Sequence, residues 1–303
     1  MFSPEVEGEE QFRVMGPPAF PRSIFIESDR IDACMDYAAR NHQGRIAISP
    51  LGGFRSPDLS FLARFPWVKH LTVMNSEMID ISAVSSLEQL RYLSLSGRTK
   101  QPLDLANFPL LEELRIQWWR KLRFADPMES LSVLSLSHYA PSSGDLRGLP
   151  QIPQLGNLDL VQANNSTLSG IERFPGIRKL TIAYLPTLVD LSPLTVFAVG
   201  DLEILEFGDC PKLAHHHQVR VIRSLRRLAF NKCGEIPSLS FLDDLQSLES
   251  LSFVNTNIVD GDLTPCLRLK FAGFFDKRHF SHRSSDFPAA STPMSLKPQN
   301  HAD

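Results

Sequence analysis

One apolar signature returns through the middle two thirds of this 303-residue chain, and it dictates what the chain can fold into. The form is Leu-x-x-Leu-x-Leu, with Ile, Val or Phe as substitutes. It reads Val68/Leu71/Val73, Leu90/Leu93/Leu95, Leu111/Leu114/Ile116, Leu131/Leu134/Leu136 and Leu155/Leu158/Leu160. It continues as Ile177/Leu180/Ile182, Leu202/Leu205/Phe207, Leu225/Leu228/Phe230 and Leu248/Leu251/Phe253. The central residues are spaced by 22, 21, 20, 24, 22, 25, 23 and 23 positions. Self-similarity at this period is the mark of a solenoid, in which each unit is too small to bury its own apolar face.

Within each unit the Leu-x-Leu pair alternates apolar and polar, the period of a strand with one buried face. Stacked units place these strands side by side in parallel. A parallel pair needs a crossover that leaves the sheet and returns. The return segments have a shared shape: 78–84 (Met-Ile-Asp-Ile-Ser-Ala-Val), 188–194 (Leu-Val-Asp-Leu-Ser-Pro-Leu) and 236–242 (Ile-Pro-Ser-Leu-Ser-Phe-Leu). Apolar residues at the turn and on the far wall, separated by Ser, Asp or Pro, predict extended corners followed by short 3₁₀ turns.

On these residues the chain resembles the leucine-rich repeat proteins, with units similar to the roughly 22-residue repeats of bacterial internalins. The likeness spans about 45–271 and is carried most closely by 79–84 and 188–194. It implies an α/β fold: a right-handed leucine-rich repeat solenoid, or horseshoe, with a parallel concave β-sheet. The convex side would hold 3₁₀ and short helices, and a helical cap would close the N-terminus. The family usually carries Asn five residues after the central leucine. Here those positions hold Ser76, Arg98, Trp119, Tyr139, Ala163, Leu185, Cys210, Cys233 and Thr256. Cys is a familiar substitute in such proteins, so Cys210 and Cys233 fit; the other corners must satisfy their backbone differently.

A repeat array argues for one domain. The expected divisions are a mobile segment over 1–20, a strand-helix-strand cap over 21–48, repeats over 49–271, an aromatic cap over 272–282 and a disordered tail over 283–303. In the cap, Ser28 is expected to N-cap a helix over about 29–42, with Ile31, Cys34, Met35, Ala38 and Ala39 on one stripe and Gly44 just past its end. Leu267, Leu269 and Phe271 are expected to form the last strand, with Phe274, Phe275 and Phe280 as a lid.

A net charge of −3 gives no support for bulk attraction to nucleic acid or to an anionic membrane. The four cysteines form no C-x-x-C pair and are expected as buried, reduced thiols. The acidic start lacks the marks of a secretory signal, and no apolar run reaches membrane-spanning length, so a cytoplasmic location is expected.

Residues flanking the leucines should face the concave side. The candidate partner-binding residues are Tyr92, Arg115, Trp118, His138 and Tyr184, followed by Asp159, Glu206, Asp209, Arg227 and Lys232. Tyr, Trp and Arg dominate binding hot spots. Mixed charge suits a folded protein better than a polyanion. The expected function is binding of another protein, by analogy as an immunity, inhibitor or effector-type module. The alternative is a phosphate or nucleic-acid site on a helical face shared by Arg220, Arg223 and Arg227. An enzyme is the least favoured reading. No phosphate-loop, G-x-S-x-G or H-E-x-x-H motif is present, and no cofactor is expected. His215, His216 and His217 lack partners at ligand spacing, so no metal is expected. The segment after Phe271 is too short for the catalytic domain that bacterial repeat ligases carry.

Overall fold

A computed structural model describes residues 5–8, 11–17 and 20–288. It is a right-handed leucine-rich repeat solenoid built on one fourteen-stranded sheet among the described residues. Its first three strands, Glu5–Glu7, Phe12–Met15 and Ser23–Phe25, pair antiparallel in turn, and every later neighbour pairs in parallel. The central residues stack in register as Ile24, Ile46, Leu71, Leu93, Leu114, Leu134, Leu158, Leu180, Leu205, Leu228, Leu251 and Ala272. All the leucines of this ladder are fully buried. Removing so much apolar surface from water is what makes units of this size stable together when none is stable alone.

The convex returns hold 3₁₀ turns, as the spacing predicts, including Ser60–Arg64, Ser82–Ser86, Ser192–Val199, Ser240–Asp244 and Thr264–Cys266. Their recurrent Asp has a defined task. Its side chain accepts the amide two residues on, from Asp58 to Ser60 (2.9 Å), Asp80 to Ser82 (2.9 Å), Asp104 to Ala106 (3.0 Å), Asp190 to Ser192 (3.1 Å) and Asp262 to Thr264 (2.9 Å). A short polar side chain thereby closes each turn locally.

Both ends differ from expectation. The first segment, expected to be mobile, contributes the antiparallel hairpin; Phe12 and Val14 are buried, and Phe12 stacks on Tyr37 at 4.3 Å. The helix runs Ile31–Asn41 after Arg30, with no side-chain cap. Ser28 instead accepts the Arg55 amide at 2.7 Å. Ala39 is exposed, while Cys34, Met35 and Ala38 are buried. Gly44 takes φ +76° and donates its amide to Ala38, a left-handed helix end.

At the far end the last strand is Phe271–Gly273. It aligns Ala272 with Leu251, so the final unit reads Leu269-x-x-Ala272-x-Phe274, and Leu267 is half-exposed. Phe274 stacks on Phe253 at 4.8 Å, and Phe280 and Phe287 meet it edge-on. Phe275 points away from this lid and is exposed. The tail expected over 283–303 begins with a 3₁₀ turn at Ser284–Asp286; its remainder from 289 lies outside the described residues.

Candidate functional site

The sheet lays its outward-facing side chains in straight rows. One reads His70, Tyr92, Glu113, Val133, Asn157, Lys179, Ile204, Arg227 and Ser250. The next reads Thr72, Ser94, Arg115, Ser135, Asp159, Thr181, Glu206, Ala229 and Ser252. Five of the predicted contact residues, Tyr92, Arg115, Asp159, Glu206 and Arg227, therefore stand on the concave strands.

A cluster forms at the N-terminal half of this face. His70 stacks on Tyr92 at 6.0 Å, and Arg45 reaches His70 Nδ1 at 3.0 Å. Burial, reinforced by the Arg45 charge, pushes the His70 pKa down to about 4. Arg115 donates to Glu113 at 2.5 Å and stands 4.0 Å from Asp159. Arg45, His70 and Glu113 belong to this cluster, and none of the three is among the contact residues predicted above. The signal that finds them is row position, which places each beside a hot-spot residue.

The other predicted residues sit elsewhere. His138, Tyr184, Asp209 and Lys232 occupy the corner four residues after the central leucine, where φ is +56°, +59°, +53° and +51°. Each amide there extends the ladder, to the carbonyls of Val161, Gly208, Asn231 and Val254. These four form a rim. Tyr184 is 52% exposed, and Lys232 pairs with Asp209 at 3.2 Å.

Trp118 also lies at the strand end but turns off the concave face. It meets Tyr139 edge-on at 5.8 Å and lines a recess of about 530 Å³ with Phe124, Pro141, Arg147 and Gly148. Its neighbour Trp119 tucks inward, donating its indole N–H to Gln101 O at 3.1 Å. Tyr139 is 3% exposed, and burial pushes its pKa up to about 12.

The basic surface expected from Arg220, Arg223 and Arg227 does not form. Residues 216–221 make a convex 3₁₀ turn, whereas Arg227 begins a concave strand, so the guanidinium groups stand on different walls. Arg226 is paired with Glu249 at 2.6 Å, and Lys270 joins the same carboxylate at 3.0 Å. His216 is buried with both ring nitrogens unpartnered, edge-on to Phe230 at 4.8 Å. Among the described residues no group of three His, Cys, Asp or Glu could hold a metal ion, and no helix is long and apolar enough to cross a membrane. All four cysteines are free thiols.

No family model and no curated sequence matches this chain. Solved structures do. An internalin, InlF, from Listeria monocytogenes is 17% identical, covering 88% of this chain and 84% of its own with a TM-score of 0.53. A Leptospira interrogans leucine-rich repeat protein, LIC12759, is 16% identical over 77% of this chain and 67% of its own, with a TM-score of 0.49. The functional domain of InlJ from Listeria monocytogenes is 16% identical over 75% of this chain and 49% of its own, with a TM-score of 0.45. The InlF likeness agrees with the fold derived above: an internalin-like leucine-rich repeat solenoid.

Proposed function

We propose that this leucine-rich repeat solenoid is a protein-interaction module that engages a folded partner through its concave sheet. Folds of this kind commonly serve as such modules. The observation that carries the reading is the cluster of Arg45, His70, Tyr92, Glu113, Arg115 and Asp159. There an aromatic pair and charges of both signs are held on rigid strands at one end of the face. Side chains anchored on a sheet pay little ordering entropy on binding, and mixed charge steers a folded protein better than it does a polyanion. In this role the chain acts as a recognition or inhibitor-type binder, with no chemistry of its own.

The test is affinity capture with the intact chain, followed by measurement on the purified partner. Tyr92→Ala and Arg115→Ala should each weaken binding by about 2 kcal/mol. The convex control Arg223→Ala should leave it unchanged. Equal binding by all three variants would remove the concave face from the mechanism.

A further inference from the structure

The corners that follow the strands Ile204–Gly208 and Arg227–Asn231 each hold a cysteine, five residues past the central leucine. Cys210 and Cys233 therefore occupy equivalent places in adjacent units. Two backbone bonds bracket them. The Asp209 amide donates to the Asn231 carbonyl at 2.9 Å, and the Gly234 amide donates to the Cys210 carbonyl at 3.3 Å. Lys232 and Asp209 add an ion pair of 3.2 Å between the same corners. The approach is close. A Cβ on Gly234 would stand 2.1 Å from the Leu213 carbonyl oxygen, so glycine is what lets the second corner settle on the first. Both cysteines take the same pose, each thiol donating at 3.4 Å to a carbonyl two residues back. The sulfurs thus lie side by side on neighbouring rungs. Neighbouring strands run about 4.8 Å apart, inside the roughly 4.4–6.8 Å between Cα atoms that a disulfide spans.

The other two thiols are placed differently. Cys34 lies in the cap helix and Cys266 in the last convex turn. Both are fully buried, and burial raises both thiols, Cys266 to about 12. Cys210 is buried as well, but Cys233 is only half-buried and meets solvent. A thiolate at Cys210 accepts a hydrogen bond from the Cys233 thiol, which holds Cys210 below the ordinary thiol range.

We propose that Cys210 and Cys233 are a redox-active dithiol, closed by a peroxide into a disulfide between adjacent repeats. The thiolate of the pair attacks hydrogen peroxide on the side that Cys233 opens to solvent. An S–O bond forms, the O–O bond breaks, and the departing hydroxide leaves as water with the proton that the thiol gave up. The second sulfur then attacks the sulfenic sulfur. An S–S bond forms, the S–O bond breaks, and a second water leaves with the proton of the second thiol. The two sulfurs together lose two electrons, and the peroxide gains them. The closed pair cross-links the corners that carry Asp209 and Lys232. The inference is independent of the concave-face reading.

In the test, the intact chain is treated with hydrogen peroxide, then unfolded and labelled with N-ethylmaleimide. Of its four free thiols two should still take the label, and peptide mapping should join Cys210 to Cys233. Dithiothreitol should restore all four labels. The bond should form faster in the folded chain than in urea, because the fold holds the two sulfurs together. The oxidised chain should unfold at a higher urea concentration, since the link closes a loop in the unfolded ensemble. Cys233→Ser should form no intrachain bond. Where that variant fails to fold, the linkage map and the closing rate of the parent chain decide alone. Four labels retained after peroxide would overturn the proposal. So would linkage through Cys34 or Cys266, sulfinic acid at Cys233 without linkage, or equal rates in the folded and unfolded chain.

Discussion

The Thr256 hydroxyl accepts the Cys233 amide at 2.9 Å and donates to the carbonyl of Phe230. One side chain thus satisfies two backbone groups of the preceding unit, the task that a corner Asn performs elsewhere in such repeats. Cys233 and Cys210 serve their own corners more weakly, each thiol donating at 3.4 Å to a carbonyl two residues back. Thr256→Val keeps the shape and removes both bonds, leaving the Cys233 amide without its acceptor. It should cost about 1–3 kcal/mol in urea unfolding, and Thr256→Ser should recover most of that. Equal stability of the Val variant and the parent would show that the corner does not depend on this hydroxyl.

Neighbouring residues on one strand should respond in opposite ways. Leu180 is fully buried in mid-ladder, and its replacement by Ala should cost about 2–5 kcal/mol. Thr181 belongs to the outward row, yet its hydroxyl is buried and unpartnered. Thr181→Val removes that group at constant shape and should be neutral or stabilising by up to about 1 kcal/mol. Chemical denaturation of the two variants decides the matter. A large loss at 181 would place its hydroxyl in a bond that the strand geometry does not show.

These particulars show how far the residues alone could be read. Leucine periodicity named the solenoid, the register and the outward rows, because burial of one strand face leaves little freedom in pairing. It failed where a residue type hid its position. Ala272 is too small to announce a rung, so apolar spacing alone ends the final strand at Phe271, where it in fact begins. Ser28 had the chemistry of a helix cap and was taken by the Arg55 amide instead. Arg220, Arg223 and Arg227 fit a helical face only if the chain between them is helical, and the next strand begins at Arg227. Trp118 is half-buried against the core rather than displayed on the concave rows. Its turn toward Tyr139 depends on a loop that no periodicity describes.

Acid should loosen the fold through His216. Burial, with smaller contributions from His215 and His217, lowers its folded-state pKa to about 4 from the ordinary 6.5. Between those values the unfolded chain binds a proton that the folded chain refuses. Stability is therefore complete above about pH 6.5 and falls as pH drops toward 4. His70, lowered to about 4 as well, adds to the same slope. His216→Phe should flatten the urea midpoint between pH 7 and pH 5 while leaving the His70 share. An unchanged pH slope in that variant would mean that His216 takes up its proton without unfolding.

Gly170 supports the loop beside the recess, and its replacement should show how tightly that loop is held. It adopts φ +100°, and a Cβ there would stand 2.6 Å from the Arg147 amide nitrogen and 2.7 Å from the Leu146 carbonyl carbon. Both neighbours are backbone, so no side-chain rotation relieves the overlap. Gly170→Ala should cost about 1–3 kcal/mol from the left-handed backbone and the displaced loop together. Because residues 147–150 also line the recess, the displacement should alter the surroundings of the Trp118 ring there. Thermal unfolding and the Trp118 indole N–H resonance of the ¹⁵N-labelled chain report the two effects separately. A variant with parental stability and an unmoved Trp118 resonance would mean that residues 146–150 accommodate the new methyl without cost.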